Sequence, residues 1–193
     1  ILILLRMYYK DYRKRRFVFG RKDTSWPWWG LLIPIGILVS LAGNLLINLT
    51  NLTEVSENFD QSQKLLFSGP FVIQIVGIGM IIPICEELIY RGLIFMRMRQ
   101  YCNVNLAIGL SALLFAVFHG NVVQGIYGFA TGVLFAYVYE KYGSLKAPVL
   151  VHVSANLLSL GLSYVNPSFA DRGRVFIVGI AEVGGQAVLG RQT

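Results

Sequence analysis

An all-α fold, a polytopic transmembrane helical bundle of about five to seven membrane helices, is predicted by three observations. The chain is 55% hydrophobic, only 14% charged, and has a mean hydropathy of +0.59, which is not the composition of a soluble domain. Apolar runs recur along it, at Gly30 to Leu49, Phe71 to Ile89, Asn105 to Phe118, Val122 to Tyr139 and Pro148 to Leu162. Lys and Arg cluster beside those runs, as they do on cytoplasmic flanks. A crossing takes roughly 20 residues, so 193 residues make a single membrane-embedded domain and leave no room for a soluble one.

The elements follow in order. Residues 1 to 5 are apolar, too few to span, and look like the tail of a helix whose beginning is missing. Residues 6 to 22 carry eight basic residues (Arg6, Lys10, Arg13, Lys14, Arg15, Arg16, Arg21, Lys22) against Asp11, so a basic cytoplasmic loop is expected over 6–25. Trp26, Trp28 and Trp29 then form an aromatic belt before the first full span. A polar loop from Asn51 to Pro70 holds Glu54, Glu57 and Asp60, and the Asn-x-Thr matches at Asn48 and Asn51 are given no weight. The next span returns to the cytoplasm and ends in a glutamate motif, with Arg91, Arg97 and Arg99 as its positive flank. Glu140, Lys141 and Lys146 separate the last two spans, and Pro148 suits a helix's first turn. Gly128 and Gly132, four apart, offer a small-residue face for close helix contact. The segment 171–193, with Glu182 and Gly184-Gly185, reads only weakly as helix.

The net charge of +7 invites a nucleic-acid reading, but the basic residues sit beside apolar segments, so no nucleic acid is expected; the bilayer is the surface they face. Cys85 and Cys102 match no ligand spacing, which argues against a disulfide framework or thiolate metal site and for buried free thiols.

Function concentrates in three patches. Glu86 and Glu87 close an apolar run and are followed by Arg91; His119 ends Phe115-Ala-Val-Phe-His; His152 begins His-Val-Ser-Ala-Asn156. Residues four apart share a helix face, which pairs Glu87 with Arg91, Phe115 with His119 and His152 with Asn156. Each pair has a plain structural reading: an interfacial salt bridge, a satisfied core histidine, an amide joining helices. Together they point to a site, because the chain places its only two histidines and its one adjacent pair of carboxylates in apolar helices, where ionisable groups mark catalysis, proton relays or ion pathways.

A carboxylate in such a cavity can take a proton from water. Histidines can bind a metal that polarises the same water or can stabilise an oxyanion, as Asn can. Both routes lead to hydrolysis of an acyl bond, and ion or proton transport is the competing class. Glu87 has the spacing for Arg91, whereas Glu86 lies about 140° from Arg91 around the helix and is the carboxylate able to face a cavity.

The three motifs, Glu-Glu-x-x-x-Arg at 86 to 91, Phe-x-x-x-His at 115 to 119 and His-x-x-x-Asn at 152 to 156, resemble the signature of the CPBP (CAAX protease and bacteriocin-processing, Abi) intramembrane endopeptidases, the family that includes type II CAAX proteases. The segment from Tyr142 to His152 is similar to the approach to the third motif in bacterial members. The likeness covers roughly Phe71 to Leu162. It implies that Glu86 activates water, that Glu87 supports it while pairing with Arg91, that His119 helps hold the water or a metal, and that His152 and Asn156 bind metal or stabilise the oxyanion. Family members are described both as metalloproteases and as glutamate-dependent enzymes, so Zn2+ held by His119, His152 and Glu86 is one expectation and a metal-free site the other. The His-Glu-x-x-His helix of ordinary zinc proteases is absent.

The expected function is therefore an intramembrane endopeptidase of a bacterial-type plasma membrane. It would cleave a membrane-associated or hydrophobic peptide or protein, by CAAX-type C-terminal processing or by bacteriocin or pheromone processing. The alternatives are a non-catalytic bacteriocin self-immunity protein and, behind it, an ion or proton transporter. Counting crossings places Glu86, Glu87 and His152 near the cytoplasmic ends of their helices but His119 toward the far side, so one shared site requires tilt and a mid-depth position.

Overall fold

The computed structural model describes residues 1–15, 26–50, 68–120, 122–165 and 177. Residues 16–25 of the basic stretch, most of the polar loop, and the segment 171–193 apart from Ile177 lie outside the described residues. So does Asn51, as does the side chain of Asn48.

Seven helices make up the described chain: α1 (Leu2–Arg15), α2 (Trp26–Gly30), α3 (Leu32–Thr50), α4 (Phe71–Met98), α5 (Val104–Val117), α6 (Val122–Tyr142) and α7 (Lys146–Val165). Four stretches are long and apolar enough to cross a bilayer, namely Trp28–Leu46 and the whole of α4, α6 and α7. Helix α5 has 14 residues and rises about 21 Å, short of a hydrocarbon core of about 30 Å, so it is a fifth apolar helix that does not span. Asn103 starts it, its side-chain oxygen accepting the Leu106 amide at 2.9 Å.

Two expectations change. The basic stretch is not loop throughout: helix continues from Leu2 through Arg15, in a run of residues that all tolerate helix, and docks on α4, where Asp11 meets Arg97 at 2.7 Å. The glutamate helix does not end at its motif. It runs on to Met98, which leaves Glu86 and Glu87 in its middle. The longer helix also resolves the depth problem. Glu87 lies about 16 Å before the helix end at Met98, and His119 follows an α5 that climbs about 21 Å, so the two reach similar depths.

Helix α4 is irregular. The α-helical turns Ile82–Glu87 are bracketed by π-helical segments, Ile75–Ile81 and Leu88–Phe95. Widened turns of this kind change the facing of the residues between them and recur at functional sites.

Close helix approach depends on small residues, because lipid gives no hydrophobic drive to helix association. Helix α5 packs on α6 and α7 on α3. A Cβ at Gly132 would stand 3.0 Å from the Ala112 Cα and one at Gly128 would stand 3.5 Å from the His119 ring, so the Gly128–Gly132 face carries the α5–α6 contact as expected. At Gly36 a Cβ would collide with Ser154 and the Val151 carbonyl of α7, and at Gly79 it would come within 2.6 Å of Leu157. Beside Gly36, Ser40 and Ser159 hydroxyls lie 2.7 Å apart and Asn44 donates to Ser159 at 3.1 Å, which ties α3 to α7 by polar contacts.

At the end of the bundle where Arg97, Arg99 and Lys141 gather, Arg99 pairs both carboxylate oxygens of Glu140 at 2.9 and 3.0 Å, a hydrogen bond that holds its guanidinium pKa above the ordinary value. The Tyr142 hydroxyl donates to the Trp28 carbonyl at 2.9 Å and its ring meets Trp29, which anchors the tryptophan belt at that same end. Pro148 falls in the first turn of α7. Cys85 and Cys102 are free thiols, partly rather than fully buried.

Gly36→Ala should lower the unfolding midpoint in detergent, with an overpacking cost of about 1–3 kcal/mol. Gly109→Ala, where no atom lies within 4 Å of the added Cβ, should be neutral or slightly stabilising. Equal midpoints for the two variants would contradict the close α3–α7 approach.

Candidate active site

The site is built on the central turns of α4. Glu87 and Arg91, one turn apart, are both fully buried, and Arg91 Nη1 donates to Glu87 Oε1 at 2.9 Å. The other arm of the guanidinium, Nη2, donates to the Gly132 carbonyl of α6 at 3.0 Å. Aromatic rings enclose the cation, its Cζ standing 4.5 Å from the Phe115 centroid and 5.2 Å from that of Phe135. A buried charge is costly unless paired and hydrogen-bonded, and here the paired ions neutralise each other while α6 supplies a further acceptor.

His152 of α7 completes this network from the other side. Its Nδ1–H donates to the same Glu87 oxygen at 2.9 Å, and its ring stacks on Phe135 at 4.7 Å and 27°. These contacts hold the imidazole in one orientation, with Nε2 facing Glu86 Oε2 at 3.7 Å. The two glutamates therefore have different surroundings. Glu87 is 0% exposed and accepts from both Arg91 and His152 through Oε1, whereas Glu86 is 9% exposed; the Oε2 atom of each makes no hydrogen bond among the described residues.

His119 follows the end of α5 and is buried, its Nδ1–H donating to the Phe115 carbonyl one turn back. Gly120, at φ 74°, then turns the chain away in a conformation that suits glycine. The Phe115 ring stands between the two histidines, 4.6 Å from His119 and 6.2 Å from His152. The glutamate, Phe-His and His patches thus converge in one place. Asn156 is buried one turn beyond His152, and its amide donates to the Ile78 carbonyl at 3.2 Å, within the first π-helical segment of α4. A widened turn alters the backbone pairing of its carbonyls, and Asn156 meets one of them while fixing α7 against the glutamate helix.

Zinc was one expectation for His119, His152 and Glu86. Among the described residues no group of three His, Cys, Asp or Glu side chains converges to hold a metal. Both histidines are engaged through Nδ1, His152 by Glu87 and His119 by Phe115, which leaves their Nε2 atoms as the ring donors that could reach a metal.

Several contributors had no motif. Phe135 and the Gly132 carbonyl hold His152 and Arg91, yet in sequence they are one aromatic and one glycine in an apolar run. Gln124, Tyr127 and Thr131 are buried on α6 beside them. The signal available for these three was their spacing of three and four residues, a polar stripe on one face of an otherwise apolar helix.

Arg91→Ala should cost about 3–5 kcal/mol, read as a lower unfolding midpoint, because Glu87 would stay buried without its cation. Arg91→Lys should recover only part of that, since a single ammonium cannot reproduce the fork to Glu87 and Gly132. An unchanged midpoint in Arg91→Ala would remove the network from its structural role.

Residues 68–158 match the family described as Rce1-like, type II CAAX prenyl endopeptidase. The chain is also 24% identical over 161 residues to the Bacillus subtilis (strain 168) protein named "Putative membrane peptidase YdiL". That alignment takes in 81% of this chain and 63% of the length of the relative. No solved structure matches. All three motifs, and every residue of the converging network, lie inside the matched span.

Proposed function

We propose that the chain is an intramembrane endopeptidase that hydrolyses a peptide bond of a membrane-associated or hydrophobic peptide, with Glu86 as the base that activates water. The observation that carries this reading is the unequal pairing of the two adjacent glutamates. Each has an Oε2 without a hydrogen bond among the described residues, but Glu87 is fully buried and committed through Oε1 to Arg91 and His152, whereas Glu86 keeps a small exposed surface.

The geometry supports a specific arrangement. Both histidines donate through Nδ1, so in their neutral forms both Nε2 atoms are acceptors. A water at this point can direct one hydrogen to the Glu86 carboxylate and the other to an imidazole Nε2. Glu86 takes the proton, the water oxygen adds to the peptide carbonyl carbon, and the proton passes to the nitrogen as the C–N bond breaks. A carboxylic acid and an amine leave. Glu87 orients His152, as a carboxylate orients the histidine of other hydrolytic sites, and Arg91 holds Glu87. Asn156 acts as a positioning residue through Ile78. No step runs through a metal.

The substrate type follows from the same setting. Burial of the site among apolar helices favours a hydrophobic peptide that enters from the bilayer or its surface, and processing of a prenylated C-terminus or of a bacteriocin-type peptide belongs to this class. A plasma membrane of bacterial type is the proposed location.

Glu86→Gln should lower kcat for a hydrophobic reporter peptide by about 10²–10⁴-fold, the usual contribution of a general base, while the unfolding midpoint stays close to that of the parent. Cleavage at the parental rate would reject the assignment, and retained biological activity without cleavage would favour a self-immunity role. Turnover is also expected to persist in excess chelator. Loss of activity that added zinc restores would instead place a metal in the reaction.

A further inference from the structure

Helix α6 presents polar groups to the site that the proposed hydrolysis does not use. Gln124 is 0% exposed and Tyr127 5%, three residues apart on one face. The next residue, Gly128, packs on His119, and Tyr127 shares a buried cluster with Tyr90 and Phe115. The pair therefore borders the catalytic constellation. A tyrosine buried this deeply needs an acceptor for its proton. It has an unusual one: the hydroxyl donates to the backbone carbonyl of Ile177 at 3.1 Å. Ile177 lies 50 residues further along the chain, is fully buried and is part of no helix.

Non-helical backbone at membrane depth is tolerated only where protein groups satisfy its carbonyls and amides. A peptide about to be cleaved meets the same constraint, because its scissile region must leave helical pairing to be reached by water. A site for such a peptide needs hydrogen-bond donors for extended backbone, placed beside the base, and apolar surface for the flanking side chains. Tyr127 has those properties, and Ile177 is an apolar residue whose carbonyl already uses it.

We propose that the Tyr127 hydroxyl is the substrate-binding point that takes a backbone carbonyl of an extended hydrophobic peptide, and that Ile177 of the same chain occupies it in this structure. The inference rests on the assignment of the site to peptide hydrolysis, and it gives the substrate a conformation and a contact. It also makes residue 177 an internal competitor for incoming peptide.

The test reads binding, not turnover, so that a failure of the hydrolytic reading is seen separately, in the Glu86→Gln kinetics. A fluorescent peptide with the sequence Gly173–Ala181 is titrated onto the full chain in detergent, beside a copy in which the carbonyl corresponding to Ile177 is reduced to methylene. The parent chain should bind the intact peptide about 2- to 12-fold more tightly than the reduced one, the range for one neutral hydrogen bond. In Tyr127→Phe that preference should disappear, with the intact peptide weakened to the level of the reduced copy. Ile177→Asp, which puts a charge where an apolar side chain is buried, should expel the internal occupant and tighten the intact peptide several-fold. Equal affinity of the two peptides for the parent chain, or a preference that survives in Tyr127→Phe, would overturn the assignment of Tyr127. Unchanged binding in Ile177→Asp, with its unfolding midpoint preserved, would overturn internal competition.

Discussion

The buried carboxylate Glu87 is the group around which the rest is arranged. It carries a full charge with no exposed surface, in a helix that crosses the membrane. Such a charge is tolerable only with a cation and hydrogen-bond donors in direct contact. Arg91 answers from the same helix and His152 from α7, so the carboxylate ties two helices together, and through the Gly132 carbonyl Arg91 ties in a third. Satisfying one buried charge thus sets the relative positions of α4, α6 and α7, the helices that also carry the candidate chemistry.

The same arrangement leaves Glu86 distinct. Two adjacent carboxylates in a low-dielectric setting cannot have the same environment, because there is one arginine beside them and it lies one turn from Glu87. The π-helical segments on either side of Ile82–Glu87 add to the asymmetry, since they break the regular facing of the helix at both ends of the motif. Asn156 meets a carbonyl of the first segment, and Gly92, in the second, has the Tyr8 ring of α1 where a Cβ would point, at 2.8 Å. Backbone irregularity is thus accommodated by particular partners on α7 and α1.

Glycine plays the complementary part. The site requires α5 and α6 close enough for Phe115 and Phe135 to enclose Arg91, and α7 close enough for His152 to reach Glu87. Gly132 against Ala112, Gly36 against Val151 and Gly79 against Leu157 allow those approaches. In lipid, where burying apolar surface drives little association, such contacts and the Ser40–Ser159 hydroxyl pair hold the bundle.

Much of this was legible in the sequence. Hydropathy located the spanning helices, since their length and composition are set by the bilayer itself. Spacing of four residues paired Glu87 with Arg91, and the rarity of ionisable groups in apolar runs marked Glu86, His119 and His152 as members of one candidate site. Helix ends were less legible: α1 continues through Arg15 and α4 continues to Met98, because local propensity allowed helix past the points where charge patterning suggested a boundary. Which groups meet across helices was decided only by tertiary structure. The stacking of Phe135 on His152, the Gly132 carbonyl under Arg91, the Asn156 contact to Ile78 and the Tyr127 contact to Ile177 join residues up to 78 positions apart. A one-dimensional pattern records the period of a helix but not its rotation against a neighbour, and that rotation follows from where small residues let backbones approach and where a buried charge must find its partners.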